Sequence, residues 1–185
     1  MSEKPKKGEK SRQILIETAA ELFLKNGYYH TSVNEILNAC EMTKGSFYFY
    51  FSSKDELGAE VARYFKKNYL DWFGSCLDGA KSYEGFINRL IQSILDQIDE
   101  GTYLGCPFTC FATETAGQLP EVQKECETAI QEFQKIFVRA KRLDGISDAQ
   151  TQKEGLRALA MYEGGLVCYR ITQNRQTIQN MKNLL

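Results

Sequence analysis

Apolar side chains recur every three or four residues along almost the whole of this 185-residue chain, and only three prolines interrupt them. That period puts the apolar set on one face of successive α-helices and leaves no alternating run suited to a sheet. The stripe Tyr83, Phe86, Ile87, Leu90, Ile91, Ile94, Leu95 and Ile98 is the most regular. A first stripe, Ile14, Leu15, Ala19, Leu22 and Phe23, ends at the C-cap pair Asn26-Gly27. The chain is therefore read as all-α, with about nine helices. The shortest are Val33–Ala39, with Thr31 or Ser32 placed to cap it and Glu35 three residues after Ser32 as a capping box requires, and the aromatic run Lys44–Phe51. Long helices are expected from Lys54, after Ser82, from Pro120 and from Ser147 or Asp148. Pro107 suits the first position of a helix running to Gly117, and Gln176–Leu185 closes the chain.

Composition removes several classes of function. One histidine, His30, makes His-based zinc sites and Ser-His or Cys-His pairs improbable. The six cysteines, at 40, 76, 106, 110, 126 and 168, are scattered rather than spaced as a zinc finger, so no metal and no cofactor is expected. No apolar run approaches a membrane span and none precedes the first stripe as a signal peptide would, so a cytoplasmic, membrane-free protein with reduced thiols is expected. A net charge of −1 argues against a protein that coats nucleic acid generally. The charge is uneven, however: residues 1–12 hold five basic and two acidic side chains among Pro, Gly and Ser, and are read as a flexible basic arm.

Residues 31–51 set two short helices around a three- or four-residue turn, the pattern of a helix-turn-helix. The second helix of such a unit fits the major groove with its first residues, here Thr43, Lys44 and Ser46, on base edges. Lys44, Lys54 and the arm are placed to neutralise phosphates. Five consecutive aromatics, Phe47 to Phe51, cannot all be buried by one helix. Phe47 and Phe51, four apart, share the core face, and Tyr48, Phe49 and Tyr50 point elsewhere. A helical hairpin that only packs has no need of such a block.

Thr31-Ser32-Val33-Asn34-Glu35-Ile36, then Thr43-Lys44-Gly45-Ser46-Phe47-Tyr48-Phe49-Tyr50-Phe51, then Ser53-Lys54-Asp55-Glu56-Leu57 closely resemble the TetR family of bacterial transcriptional regulators. The resemblance covers about residues 11–60. It implies a DNA-binding domain over 1–53 and a ligand-binding and dimerisation domain over 54–185, linked by a helix over 54–73. It also implies contacts to a palindromic double-stranded operator. Thr31 and Ser32 would face phosphate, Thr43, Lys44, Gly45 and Ser46 the groove, and Tyr48, Phe49, Tyr50 and Lys54 mainly the backbone. Glu41 stands where the family's turn usually has Gly, so a non-glycine residue is expected at positive φ. Tyr50 stands where His is frequent.

The second half is read as the sensing half. With Pro107 opening a helix, Cys106 falls near its N-cap, where the helix dipole favours thiolate, and Cys110 and Glu114 lie further along one face. The segment resembles the Gly-Cys-(x)7-Glu run of a TetR subgroup, some of whose members respond to electrophiles or oxidants. Cys106 and Cys110 are read as sensing thiols, as small buried hydrophobes, or as metal ligands. Trp72, Tyr103, Phe108, Phe111, Tyr162 and Tyr169 are candidate walls of an effector cavity or plain core, and Glu114 is read as a surface residue, a ligand-binding carboxylate or an orienting group. Leu159, Gly164, Gly165, Leu166 and Val167 are candidate homodimer contacts, or packing within the chain. The whole reads as a ligand-responsive regulator, most simply a repressor of unknown effector, and not an enzyme. An enzyme built on Cys106 lacks a base, and the other alternative is a helical adaptor whose aromatic run docks protein, which footprinting of DNA would separate from a regulator.

Overall fold

The computed structural model describes residues 7–145 and 148–185, which form helices and turns with no strand among them. The helices are α1 (Lys7–Asn26), α2 (Val33–Ala39), α3 (Lys44–Tyr50), α4 (Lys54–Asp78), α5 (Tyr83–Asp99), α6 (Phe111–Thr115), α7 (Pro120–Arg142), α8 (Asp148–Thr172) and α9 (Arg175–Leu184). Lys4, Lys6 and the candidate cap Ser147 lie outside the described residues. Where a flexible arm was expected up to residue 12, α1 already begins at Lys7, and Arg12 pairs with Glu60 at 2.7 Å.

The chain forms two compact units. One contains the residues up to Lys66 together with Cys110–Cys126; the other contains Lys67–Thr109 and Glu127–Leu185. Compactness thus follows a different partition from a cut at residue 53, because a later segment returns to the first helices. In the first unit Phe111 stacks on Phe23 with ring centroids 5.5 Å apart, and Tyr28 and Phe65 close around it. Phe47, Phe51, Ile36, Leu57 and Val61 complete this core.

The link from α1 to α2 is held from four directions. Gly27 takes the left-handed conformation, φ 89°, that only glycine adopts cheaply. The Glu114 carboxylate then accepts the Tyr28 and Tyr29 backbone N–H groups at 2.8 and 2.9 Å. Lys54 donates to the Tyr28 and Thr31 carbonyls at 2.8 and 2.9 Å, and the Tyr28 phenol donates to Asp55 at 2.6 Å. Inside the turn, the Thr31 hydroxyl donates to the Gly27 carbonyl.

In the second unit the α5 stripe is buried from Tyr83 to Leu95, and Ile98 at its end is half-buried. Phe73 packs against Phe133 (4.9 Å) and Tyr162 (5.6 Å), and Phe86 against Phe137. Helix α9 lies on α5 and α8, burying Ile178 and Met181. Gly165 permits that approach, since a Cβ there would stand 2.5 Å from the Met181 sulfur.

One expected helix start is corrected. Residues 106–110 form a turn closed by the Thr109 N–H on the Cys106 carbonyl, and α6 begins only at Phe111. The fixed φ of Pro107 suits the second position of a turn as well as the first of a helix, and the turn wins. Cys106 therefore caps no helix.

Gly27→Ala is expected to destabilise the chain by about 1–2 kcal/mol through the left-handed backbone alone. It also forces Glu114 aside, because the added Cβ would meet its carboxylate oxygens at 3.1 Å. Combined with Glu114→Ala, the loss in thermal unfolding should be less than the sum of the two single losses. Strict additivity would mean that the two residues do not share one interaction.

Candidate nucleic-acid interface and effector cavity

Helix α2 opens on the expected capping box: Ser32 Oγ accepts the Glu35 N–H while Glu35 accepts the Ser32 N–H. The turn into α3 runs through Glu41 at φ 54°, the strained non-glycine position anticipated from the sequence. Thr43 caps α3 by accepting the Ser46 N–H, and its hydroxyl also lies 3.1 Å from that of Ser46. The five aromatics divide by helical geometry. Phe47 and Phe51 are fully buried, Tyr50 is half-buried against Gly8, and Tyr48 and Phe49 are 63% and 79% exposed. With Thr43, Lys44 and Gly45 they form one exposed polar and aromatic face. Nothing among the described residues requires glycine at 45, where a Cβ would meet only the Thr43 hydroxyl within 4 Å, at 3.8 Å.

Two residues expected on this face have internal work. Thr31 is fully buried and its hydroxyl is committed to the α1–α2 link, so it does not reach a duplex; Ser32, beside it, is exposed. Lys54 spends two of its three N–H donors on backbone carbonyls and stands 4.1 Å from the Tyr28 ring centroid. Partial burial lowers its pKa. It closes a turn rather than projecting towards a phosphate. Sequence alone could not separate these roles, since the same residue types serve either.

A cavity of about 200 Å³ lies in the second unit, lined by Asn68, Tyr69, Trp72, Gln97, Tyr103 and Tyr162. Trp72, Tyr103 and Tyr162 were expected there. Asn68, Tyr69 and Gln97 were not, although Tyr69 belongs to the apolar stripe of α4. Three other candidates lie elsewhere. Tyr169 packs on Tyr103 outside the lining, Phe108 sits in the core against Phe133, and Phe111 belongs to the core of the first unit. Glu114 also leaves the expected site: it is not part of this cavity's lining and holds the N–H groups of Tyr28 and Tyr29.

Cys106 is buried, and its thiol donates to Glu163 Oε1 at 3.7 Å. Burial and the neighbouring Glu163 push this thiol well above the ordinary thiol range, opposite to the expected helix-cap thiolate. Burial also pushes the Glu163 carboxyl up, to about 7. Its second oxygen, Oε2, is buried with no hydrogen-bond partner. Only its position inside an apolar helical stretch hinted at Glu163. Cys110 is half-buried in the first unit and shares no helix face with Cys106. No group of three metal-ligating side chains occurs among the described residues.

Helix α8 has two faces that sequence adjacency concealed. Leu159 and Leu166 are buried within the chain, and Gly165 abuts Met181, so these three pack internally rather than on a second copy. The outer stripe is Leu156, Ala160, Gly164, Val167 and Ile171, with Leu156 54% and Ile171 78% exposed. Gly164 and Val167 remain on it.

The chain matches the family described as bacterial regulatory proteins, tetR family, over residues 15–61. Residues 84–184 match the C-terminal domain of LmrA/YxaF-like transcriptional regulators. It is 25% identical to the HTH-type transcriptional regulator LmrA of Bacillus subtilis, over 95% of this chain and 94% of that one. It is 32% identical to the HTH-type transcriptional repressor NemR of Escherichia coli, over 52% and 49% of the two chains. The crystal structure of reduced E. coli NemR has the same fold, with a TM-score of 0.83 at 20% identity and 94% of each chain covered. A TetR-family regulator from Cytophaga hutchinsonii superposes with a TM-score of 0.84 at 22% identity, over 98% and 96% of the chains.

The raised Glu163 carboxyl carries a stability consequence of fixed sign. Folding disfavours its ionised form, so stability from this group is full below its ordinary pKa of 4.5 and is lost as pH rises through about 7. Glu163→Gln removes that loss. The melting temperature of the variant relative to the parent should therefore rise from pH 5 to pH 8. An unchanged difference would show that the carboxylate is solvated in the fold.

Proposed function

Because the chain belongs to the TetR family of bacterial regulators, which bind DNA as dimers and are not enzymes, we propose that it is a homodimeric repressor released from a palindromic operator by a small molecule. The observation that carries the DNA-binding part is the division of the α3 aromatics. Phe47 and Phe51 fix the helix to its unit, while Tyr48 and Phe49 stay exposed beside Lys44 and Gly45. Exposing two large aromatics has a cost that a duplex in contact would offset. Lys44 at the start of α3 supplies a groove or phosphate contact, Gly45 lets backbone approach, and the two aromatics lie along the sugar-phosphate edge. Two such helices on a two-fold axis meet half-sites roughly 34–36 Å apart.

The outer stripe of α8 supports the dimer assignment: Leu156, Val167 and Ile171 are apolar and exposed, and Gly164 has open space around it. The cavity at Trp72, Tyr103 and Tyr162 supports binding of a compact effector. Chain continuity supplies the coupling. Tyr103 in the cavity wall and Glu114, the acceptor for the α1–α2 link, lie on one short segment, so a shift of that segment on effector binding alters how the operator-binding unit is held. A coupling of ~1–3 kcal/mol suffices to release an operator. The buried, protonated Cys106 favours this route over attack by its thiol.

Lys44→Ala should abolish specific duplex binding while the dimer mass stays unchanged, as checked by footprinting the DNA upstream of its own gene alongside light scattering. Retained salt-sensitive protection of a palindrome would remove Lys44 from the interface. Val167→Asp with Ile171→Asp should give a folded monomer; a persisting dimer would place the interface elsewhere. Cys106→Ser should keep its response to the effector and lose only about 1 kcal/mol of stability.

A further inference from the structure

A second cavity, of about 520 Å³, opens between α4, α5 and α9 in the second unit. Trp72 lines it as well as the effector cavity, and its indole N–H donates to the Ser93 hydroxyl at 3.0 Å, which fixes the ring as an aromatic wall. Arg89 lines the same cavity from α5. Its guanidinium rests on the backbone of Gly79, where an added Cβ would stand 2.2 Å from Nη2 and 2.3 Å from Cζ. Glycine at 79 thus makes room for this side chain. Among the described residues Arg89 has no hydrogen bond and no ion pair. Lys182 and Asp96, the other charged side chains of the lining, both bond to Gln92, which donates to Asp96 at 2.8 Å and accepts from Lys182 at 3.5 Å. Their charges offset one another, and Arg89 is left as the uncompensated charge of the lining.

A guanidinium offers a planar fork of donors that matches a carboxylate bidentately, and a flat ring packs well on an indole face. We infer that this cavity binds a small aromatic monocarboxylate, with its carboxylate on the Arg89 guanidinium and its ring against Trp72. One uncompensated positive charge suits a monoanion. A phosphate monoester carries about two negative charges at neutral pH, more than this lining offsets. The volume lies in the range of small-molecule sites and takes a one- or two-ring acid. The effector cavity has no lysine or arginine in its lining, so the two cavities select ligands of different charge.

The test is isothermal titration calorimetry of the full-length protein with 2-naphthoate, its neutral amide 2-naphthamide, and inorganic phosphate. The expected result is one 2-naphthoate per chain at a Kd at least tenfold below that of the amide, and no binding of phosphate. Arg89→Gln should weaken 2-naphthoate at least tenfold and keep the parent's melting temperature, because the guanidinium bonds nothing within the described chain. Gly79→Ala, which pushes the guanidinium aside, should weaken it as well. Tyr103 lines the effector cavity and not this one, so Tyr103→Leu should leave 2-naphthoate binding unchanged. No binding of 2-naphthoate, equal affinity for acid and amide, phosphate binding of the same strength, or binding that survives Arg89→Gln would overturn the carboxylate site. Loss of 2-naphthoate in Tyr103→Leu but not in Arg89→Gln would put the ligand in the effector cavity and overturn it too.

Discussion

The Glu114 carboxylate, holding the N–H groups of Tyr28 and Tyr29, is the interaction on which the arrangement of the helix-turn-helix unit depends. A left-handed glycine ends α1 and leaves the next backbone donors without helical partners. A carboxylate accepting two N–H groups is stronger than neutral hydrogen bonds. Lys54 supplies the complementary charge on the carbonyl side of the same turn. Between them these two residues take up the Tyr28 and Tyr29 N–H groups and the Tyr28 and Thr31 carbonyls, and Phe111, three residues before Glu114, stacks on Phe23. Residues from distant stretches of sequence thus form one compact unit, and α3 is presented from a framework that its own seven residues could not hold.

The charge distribution follows the same logic. The chain is close to neutral overall, yet the exposed face of α3 has Lys44 and no acidic side chain among Thr43, Gly45, Tyr48 and Phe49. Further back, basic residues are spent on acidic partners: Arg12 on Glu60, Arg63 on Glu60 and Glu125, and Lys66 on Glu125. A near-neutral total is therefore compatible with a unit that meets a duplex through one local face. Selective binding needs a few well-placed contacts rather than a strongly basic surface.

Much of this was legible in the sequence, because it rests on period and caps. The α5 stripe, the Ser32/Glu35 box, the split of Phe47 and Phe51 from Tyr48 and Phe49, and the positive φ at Glu41 all follow from local rules. The errors came where one local signal serves two structures. Pro107 fits a turn as well as a helix start, so Cys106 changed from a capped thiolate to a buried thiol on Glu163. Thr31 and Lys54 are residue types that serve a phosphate or a backbone turn, and here they serve the turn. On α8, Leu159, Gly165 and Leu166 differ from Gly164 and Val167 only by rotation about the helix axis. The side that is buried depends on where α9 lies, and no local rule gives that. Phe111 and Glu114 lie away from the expected cavity for a related reason, since the return of their segment to α1 is a long-range event.

We propose that the segment containing Glu114 controls how α3 is held for operator binding. The most direct test is the operator affinity of Glu114→Ala, measured by fluorescence anisotropy on a palindromic duplex that the parent protein protects. The hydrogen bonds of Glu114 go to the Tyr28 and Tyr29 N–H groups in the α1–α2 link, so the substitution removes support for that link and leaves the side chains of α3 unchanged. Specific affinity should fall at least tenfold below that of the parent, with dimer mass and helix content unchanged. Affinity within twofold of the parent would contradict it, showing that the unit keeps its operator-binding geometry without the carboxylate.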